Sequence, residues 1–354
     1  MSKFFSYKYK NLTPYTPGEQ PKEREYIKLN TNESPFPPSN KAIELAKAEL
    51  SKLQLYPDPD VKELTALVAQ EVGVAKECVI MTNGSDEILN FAFMAYCDND
   101  TPAIFPDISY GFYKVFAEIN NIPYKEIPLR EDFSVCVDDY IGTKGTVFIA
   151  NPNAPTGLNL TLTEIERLVK ADTNRVVVID EAYVDFGGDS AVKLVDKYDN
   201  LIVTQTFSKS RSMAGARLGF GVANKDIIAD LMAIKYSTNP YNVNKMTAAA
   251  GVGAILDKEY FTENCRTIIE NREWVKGELN KLGFSVTDSK TNFVFAKTDK
   301  IDGKKLYLAL KDRGVLVRHF DKDKIKEYNR ITIGTIKQMQ VLISTIKSIL
   351  EEEL

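Results

Sequence analysis

Lys209 stands in Thr206-Phe207-Ser208-Lys209-Ser210-Arg211, just after the apolar run Leu201-Ile202-Val203, and Arg217 follows between Gly215 and Gly219. An amine among hydroxyls, with a guanidinium close behind, has the parts to condense with an aldehyde while a phosphate is held nearby. Three more polar clusters follow apolar runs: Asn83-Gly84-Ser85-Asp86-Glu87, Asn151-Pro152-Asn153-Ala154-Pro155-Thr156-Gly157, and Asp180-Glu181-Ala182-Tyr183. A glycine turn that opens a helix presents unpartnered N–H groups and a dipole that favours an anion, although the same residues also make an ordinary helix cap. An acid at the carboxyl end of a buried strand lies where open α/β sheets take their ligands.

These clusters need rigid elements behind them. Val147–Ala150, Arg175–Ile179 and Leu201–Thr204 are short continuous apolar runs, the pattern of buried parallel strands. Val79–Thr82, Thr101–Phe105 and the stretch around Tyr124–Ile127 complete the expected set, with helices predicted over 41–53, 61–72, 88–96 and from a Thr163 cap to Val169. From about residue 75 to 225 strand and helix alternate, which predicts an α/β fold with a mostly parallel sheet sandwiched by helices. In Pro106-Asp107-Ile108-Ser109-Tyr110-Gly111, the aromatic ring of Tyr110 can stack on a flat ligand or simply pack in a core. Further on, 248–282 reads as largely helical. Strands at 284–286, 292–296, 315–318 and 330–333, with helices at 303–312 and 337–350, predict a smaller α/β unit. The expected organisation is an N-terminal arm (1–38), a large domain (39–260) and a small C-terminal domain (261–354) that recruits the arm.

Composition excludes several alternatives. A net charge of -4 without a basic block argues against a nucleic-acid partner. Cys78, Cys97, Cys136 and Cys265 form no C-x-x-C pair, and His319 is the sole histidine, so neither a metal site nor a disulfide framework is expected. Proton transfer then falls to a lysine, tyrosine or carboxylate. The first eight residues lack a signal-peptide core, and no apolar run approaches the ~18 residues of a membrane span. A cytoplasmic protein with reduced thiols is expected. The acidic end Glu351-Glu352-Glu353 reads as a solvated helix terminus.

Taken together, the four clusters resemble the pyridoxal 5'-phosphate (PLP) aminotransferases of fold type I, class I/II. They fall in the family's order, with Asp180 27 positions after Asn153 and Lys209 29 positions after Asp180. Within that group the resemblance is to the branch acting on histidinol phosphate, carried by Asn11-Leu12-Thr13-Pro14-Tyr15, Leu29-Asn30-Thr31-Asn32-Glu33, Tyr56-Pro57-Asp58, Asp180 to Phe186 and Arg330-Ile331-Thr332-Ile333-Gly334.

The resemblance implies a set of roles. Lys209 forms the internal aldimine and moves the proton, Asp180 keeps the ring nitrogen protonated, and Tyr183 donates to the phenolic oxygen. Tyr110 stacks on the ring. Ser85, Asp86, Thr206, Ser208 and Arg217 hold the phosphate, and Tyr56 reaches it from the neighbouring subunit of a homodimer. Where the family often has asparagine, this chain has Ala154, so Asn153 or Tyr183 alone is expected to serve the phenolic oxygen. Tyr15, Asn32, Arg318 and Arg330 are expected at the substrate, with the two arginines on its phosphate. The implied reaction is ping-pong amine exchange between L-histidinol phosphate and 2-oxoglutarate. An aromatic amino-acid aminotransferase and a threonine-phosphate-type PLP decarboxylase are the enzyme alternatives. A PLP-fold binding protein without activity is disfavoured by the intact Lys209, Asp180 and Arg217.

Overall fold

The structure, a computed structural model, describes residues 2–10, 12–21 and 23–352; Asn11 of the arm motif and Glu353 of the acidic end lie outside the described residues. Strand β1 (Ile27–Lys28) precedes helices α1 (Asn40–Ala48) and α2 (Lys62–Val72), then β2 (Val79–Thr82), α3 (Ser85–Tyr96), β3 (Ala103–Pro106), α4 (Phe112–Asn120) and β4 (Tyr124–Ile127). There follow β5 (Thr146–Ala150), α5 (Leu162–Lys170), β6 (Val177–Asp180), β7 (Leu201–Thr206), β8 (Gly219–Val222), α6 (Lys225–Thr238), α7 (Lys245–Leu256) and α8 (Lys258–Lys281). The chain ends with β9 (Phe284–Val286), β10 (Phe293–Thr298), α9 (Gly303–Asp312), β11 (Val315–Leu316), β12 (Arg318–His319), β13 (Asn329–Thr332) and α10 (Ile336–Glu352).

Local chemistry sets several boundaries. Ser39 caps α1 by accepting from the N–H of Ala42, and the left-handed Gly73 stops α2. Thr161, not Thr163, opens α5. Its hydroxyl accepts from the Glu164 N–H while Glu164 reaches back to the Thr161 N–H, whereas Glu166, the residue at the same spacing from Thr163, is engaged by Lys197 and Tyr198. Helix α3 starts at Ser85, one turn ahead of the predicted start at Ile88, so Ser85 and Asp86 are helical residues rather than caps. Helix α1 is shorter than expected, and a turn of 3-10 helix, Leu50–Lys52, replaces its end. The predicted 248–282 helix is two helices that meet at Asp257.

The seven-stranded sheet has the order β2-β8-β7-β6-β5-β3-β4. Its pairs are parallel except for those of β8, which runs against both β2 and β7. Both faces are apolar, as the continuous runs required. Val147, Ile149, Val177, Ile179, Leu201 and Val203 pack on one face with α2, α5 and α7, whereas Phe148, Val178 and Ile202 pack on the other with α3, α4 and α6. Period-two alternation therefore sends Asp180, like Val178, to the α3/α4 face, and Glu181 to the opposite one. Ala150, Asp180 and Thr204 stand in one row across the sheet. Connections lead outward from β3 to β4 and the other way from β5 to β7, so the topological switch point falls between β3 and β5, beside this row.

A second, antiparallel sheet, β12-β13-β10-β9, packs with α8, α9 and α10 around its own core of Ile268, Val294, Ile331, Leu342 and their neighbours. The arm joins here, with Ile27 and Lys28 pairing parallel with Val315 and Leu316. Strand β8 and helix α6 have no counterpart in the sequence expectation. Among the described residues no helix is long and apolar enough to cross a membrane.

Candidate active site

The loops after β2, β3, β5, β6 and β7 converge at the carboxyl edge of the large sheet on two adjoining cavities of about 390 and 350 Å³. Lys209, Tyr183, Tyr110, Ala154 and Thr31 belong to the walls of both. Lys209 thus stands at the junction, its Nζ 3.4 Å from the Thr31 carbonyl oxygen and 5.9 Å from the Tyr183 ring centre.

One end of the first cavity presents groups that can bind a phosphate. Gly84, at φ 84°, is the N-cap of α3 and offers no side chain to it, so the first N–H groups of a twelve-residue helix are left open to an anion in the cavity that Ser85 and Asp86 line. Arg217 lies across this helix start, with Nη2 3.0 Å from Asp86 Oδ2 and Nη1 3.5 Å from Ser208 Oγ. Thr206 and Ser208 are buried, and their hydroxyls lie 2.9 Å apart. The cradle has room only because two residues lack a Cβ. One at Gly84 would lie 2.8 Å from Arg217 Nη2, and one at Gly219 would lie 2.5 Å from the Ser85 nitrogen. Gly219 belongs to β8, which explains why that short glycine-rich strand runs beneath the helix start.

The floor of the cavity is Asp180. The Tyr113 hydroxyl donates to Oδ2 at 3.1 Å and the Ala182 N–H to Oδ1 at 3.2 Å. Burial pushes the Asp180 carboxyl up to about 7, against the lowering effect of the Tyr113 hydrogen bond, and the negative charge of Asp86 adds to the rise. An anionic carboxylate here calls for a cation or N–H donor from a ligand. Tyr110 forms a side wall, its hydroxyl on Asp86 Oδ1 at 2.6 Å and its ring edge-on to Tyr113. Burial, with Asp86 beside it, raises the Tyr110 phenol well above its ordinary value and keeps it a donor. The donors at one end, the carboxylate at the other and the amine between them fit a planar phosphorylated ring with an aldehyde and a ring nitrogen, which is PLP.

The second cavity is cationic. Arg330, half-buried on β13, donates to the Asn30 carbonyl at 2.9 Å, while its Nε is buried without a partner. Burial, together with the nearby charge of Arg318, disfavours the Arg330 cation. Arg318 reaches carbonyls of Thr16 and Pro17 at 3.5 Å. Lys322, exposed at the rim, donates to the Asp107 carbonyl at 3.2 Å. Among the described residues no carboxylate lines this cavity. The Asp107 carboxylate is held instead by Lys324 at 2.8 Å and by the Leu129 N–H. Tyr15 closes one side, its ring 4.4 Å from that of Phe112. Asn32 lines the cavity and donates to the Tyr183 hydroxyl.

Two predicted residues lie elsewhere. The Asn153 side chain is engaged within its own loop. Its Nδ2 donates to the Ile108 carbonyl and to Thr156 Oγ1, and its Oδ1 accepts from Ser109, so Ala154 takes the place at the cavity wall. Tyr56 is 78% exposed and stacks on Tyr241, outside both cavities of its own chain. Sequence reasoning missed Tyr113, Gly219, Thr332 and Lys322. The spacing of three from Tyr110 was a usable signal for Tyr113, since it keeps both rings on one face of the turn that opens α4.

Fold, lysine and phosphate cradle together define a PLP-dependent enzyme of fold type I, and the family model for aminotransferases of class I and II matches residues 24–346. Among curated proteins, the chain is 47% identical to the histidinol-phosphate aminotransferase of Brachyspira hyodysenteriae over 99% of this chain and 100% of that one. It is also 47% identical to that of Clostridium beijerinckii, over 99% and 98%. The chain belongs to the histidinol-phosphate aminotransferase family. Among solved structures, a histidinol-phosphate aminotransferase from Sinorhizobium meliloti in complex with pyridoxal-5'-phosphate shares the fold with a TM-score of 0.86 at 19% identity, over 94% of this chain and 93% of that one. An L-threonine-O-3-phosphate decarboxylase from Porphyromonas gingivalis does so with a TM-score of 0.80 at 23% identity, over 92% and 99%. The fold alone therefore does not choose between amine transfer and decarboxylation.

Proposed function

We propose that this chain catalyses PLP-dependent amine exchange between L-histidinol phosphate and 2-oxoglutarate, giving imidazole acetol phosphate and L-glutamate, in histidine biosynthesis. The observation that carries the reading is the joined cavity, with Lys209 at its junction, a phosphate cradle on one side, and on the other Arg318, Lys322 and Arg330 with no lining carboxylate among the described residues. The membership of the family supports it.

Bound PLP supplies an aldehyde that takes up amines and a cationic ring that draws electrons from the substrate α-carbon. The N–H groups of Ser85 and Asp86, the hydroxyls of Thr206 and Ser208, and Arg217 bind its phosphate. Asp180 holds the proton of the ring nitrogen, and burial strengthens that charge pairing. Tyr110 covers the ring, and Tyr183 donates to the phenolic oxygen. With its amine free, Lys209 Nζ would act as the base at the substrate α-carbon, where the electron-drawing ring of bound PLP would make the proton labile. Arg330 and Arg318 bind the substrate phosphate, or a glutamate carboxylate in the other half-reaction, and Tyr15 and Asn32 line the space for the imidazole. Tyr56 completes the site of the partner subunit in a cytoplasmic homodimer.

The test is steady-state kinetics with histidinol phosphate, phenylalanine and threonine phosphate. The highest kcat/KM is expected for histidinol phosphate with 2-oxoglutarate as acceptor. A preference for phenylalanine reassigns the substrate. Release of CO2 from threonine phosphate without an acceptor reassigns the reaction.

A further inference from the structure

Tyr183 is held by one protein partner. Asn32 Nδ2 donates to its hydroxyl at 2.9 Å, and no other hydrogen bond engages that hydroxyl among the described residues. The orientation of the Asn32 amide is fixed from the other side by Thr332. The Thr332 hydroxyl accepts from the backbone N–H of Asn32 at 3.0 Å and donates to Asn32 Oδ1 at 3.1 Å. A hydroxyl has one proton, and this one is committed. Turning the amide over would set Nδ2 against a Thr332 oxygen that already accepts, and would strand a buried hydroxyl proton. An unsatisfied buried donor is costly. The Asn32 backbone is equally constrained, at φ 57°, with its carbonyl accepting from Asn292 Nδ2 at 2.9 Å. Both Asn32 and Thr332 are buried.

We infer that Asn32 and Thr332 are positioning residues that force Tyr183 to act as a hydrogen-bond donor into the cavity. Because Asn32 must donate to the Tyr183 oxygen, the phenolic proton is directed away from Asn32 and toward the space beside Lys209. This matters in a chain that has Ala154 at the cavity wall and an Asn153 amide engaged elsewhere, since Tyr183 is then the donor available to the cofactor's phenolic oxygen. Thr332 lies two residues beyond Arg330 on β13, so the same strand carries the substrate's anion site and sets the polarity of Tyr183.

The inference rests on the reading of Lys209 as the cofactor lysine, and the test separates the two. Its readout is the pH midpoint of the visible absorption change of the Lys209-bound cofactor. A donor on the phenolic oxygen favours the anionic form left when the lysine-linked nitrogen loses its proton, so loss of that donor raises the midpoint. Asn32→Asp replaces a donor by an acceptor of the same shape, which captures the Tyr183 proton. The midpoint is expected to rise by about one to two pH units, the range of a hydrogen bond to a charged group. The new carboxylate also acts through its charge, as do Asp180, Asp86, Glu33, Arg217 and Arg330, which surround Lys209 from the neighbouring elements, and the phenols of Tyr110 and Tyr15. Measuring Asn32→Asp in a Tyr183→Phe background removes the hydroxyl and keeps every charge. The rise is expected to be clearly smaller there, and an equal rise in both backgrounds overturns the inference. Thr332→Val is expected to raise the midpoint and Thr332→Ser to restore it, whereas an unmoved Thr332→Val refutes the orienting role even if Asn32→Asp does not fold. A wild-type chain that gains no visible band with PLP refutes the assignment of Lys209 instead.

Discussion

Tyr113 in α4 donates its hydroxyl to Oδ2 of Asp180 at the end of β6, across 3.1 Å of fully buried interior. In the cofactor-free protein this bond and the Ala182 N–H are the direct support for a carboxyl that burial pushes up to about 7. A carboxyl whose native value lies above its unfolded value of 3.8 binds extra protons only when folded. Its contribution to stability is therefore fully present below the unfolded value and is lost as pH rises through about 7. Roughly 1.4 kcal/mol is involved per pH unit between the two values. The Tm of the cofactor-free protein should fall between pH 5 and pH 8, and Asp180→Asn should flatten that fall. Some slope should persist, since burial raises Glu181 to about 7 as well. An unchanged profile in Asp180→Asn would contradict the placement of Asp180.

Lys209 has no substitute in the cavity. Among the described residues no other lysine belongs to the walls of both halves of the site. Lys209→Ala should give a protein that still binds PLP through the phosphate cradle but lacks the visible band of the lysine-bound cofactor. Transamination should drop by about 10³-fold or more, in the range of a lost general base combined with a lost covalent anchor. Absorption spectroscopy and stopped-time assays check both. Retained turnover in this variant would remove the lysine from the chemistry.

Gly219 carries the phosphate cradle from below. A Cβ there meets the Ser85 nitrogen at 2.5 Å, the Gly84 carbonyl carbon at 2.6 Å and the Gln205 carbonyl oxygen at 3.0 Å, all backbone atoms that cannot rotate away. Gly219→Ala must shift either β8 or the start of α3. A cost of about 1–3 kcal/mol in stability is expected from the overpacking. PLP affinity, measured by spectroscopic titration, should weaken by at least about tenfold, because the N–H groups of Ser85 and Asp86 move with the helix start. Wild-type affinity in this variant would show that the helix start does not hold the phosphate.

Much of this site was legible in the sequence because α/β sheets put their polar clusters where apolar runs stop. Ser85, Asp180 and Lys209 each follow such a run, and the structure brings all three to one cavity. Strand β8 was harder to read. Gly219-Phe220-Gly221-Val222 has two glycines in four positions, which weakens any strand pattern, and their absence of side chains serves close packing against α3 and Gln205. Asn153 shows a different limit. Its place beside Ala154, where the family often has asparagine, suggested a bond to the cofactor, but its amide closes the loop through Ile108, Thr156 and Ser109, partners that spacing does not reveal. The bond between Asn32 and Thr332 joins residues 300 positions apart and leaves no local trace.

At the cationic end of the site, Arg330 and Lys322 should sort by burial. Arg330 is half-buried, with an unpartnered Nε and a fork of donors that a lysine cannot reproduce, so Arg330→Lys should raise KM for histidinol phosphate by about tenfold or more with a smaller effect on kcat. Lys322 is exposed and solvent screens it, so Lys322→Gln should raise the same KM only about two- to fivefold. Phenylalanine lacks the dianionic group, and its KM should respond less to Lys322→Gln. Equal responses of both substrates would place Lys322 outside the phosphate site.

Tyr56 tests the two-fold assembly. It is 78% exposed, stacked on the exposed Tyr241, and close in sequence to the exposed Leu50, Leu53 and Leu55. An apolar and aromatic surface of this kind suits burial against another protein. If Tyr56 reaches the phosphate cradle of a partner copy, each site draws Lys209 from one chain and Tyr56 from the other. Tyr56→Ala and Lys209→Ala homodimers should then both be impaired. Mixing them under conditions that exchange subunits should restore activity, because a mixed dimer holds one site with both residues intact and one with neither. If Tyr56 instead acts within its own chain, the mixed dimer holds no intact site: its Tyr56→Ala chain keeps its defect, its Lys209→Ala chain keeps its own, and mixing restores nothing. Recovery on mixing, followed alongside sedimentation to confirm the dimer, therefore distinguishes a shared active site from two independent ones.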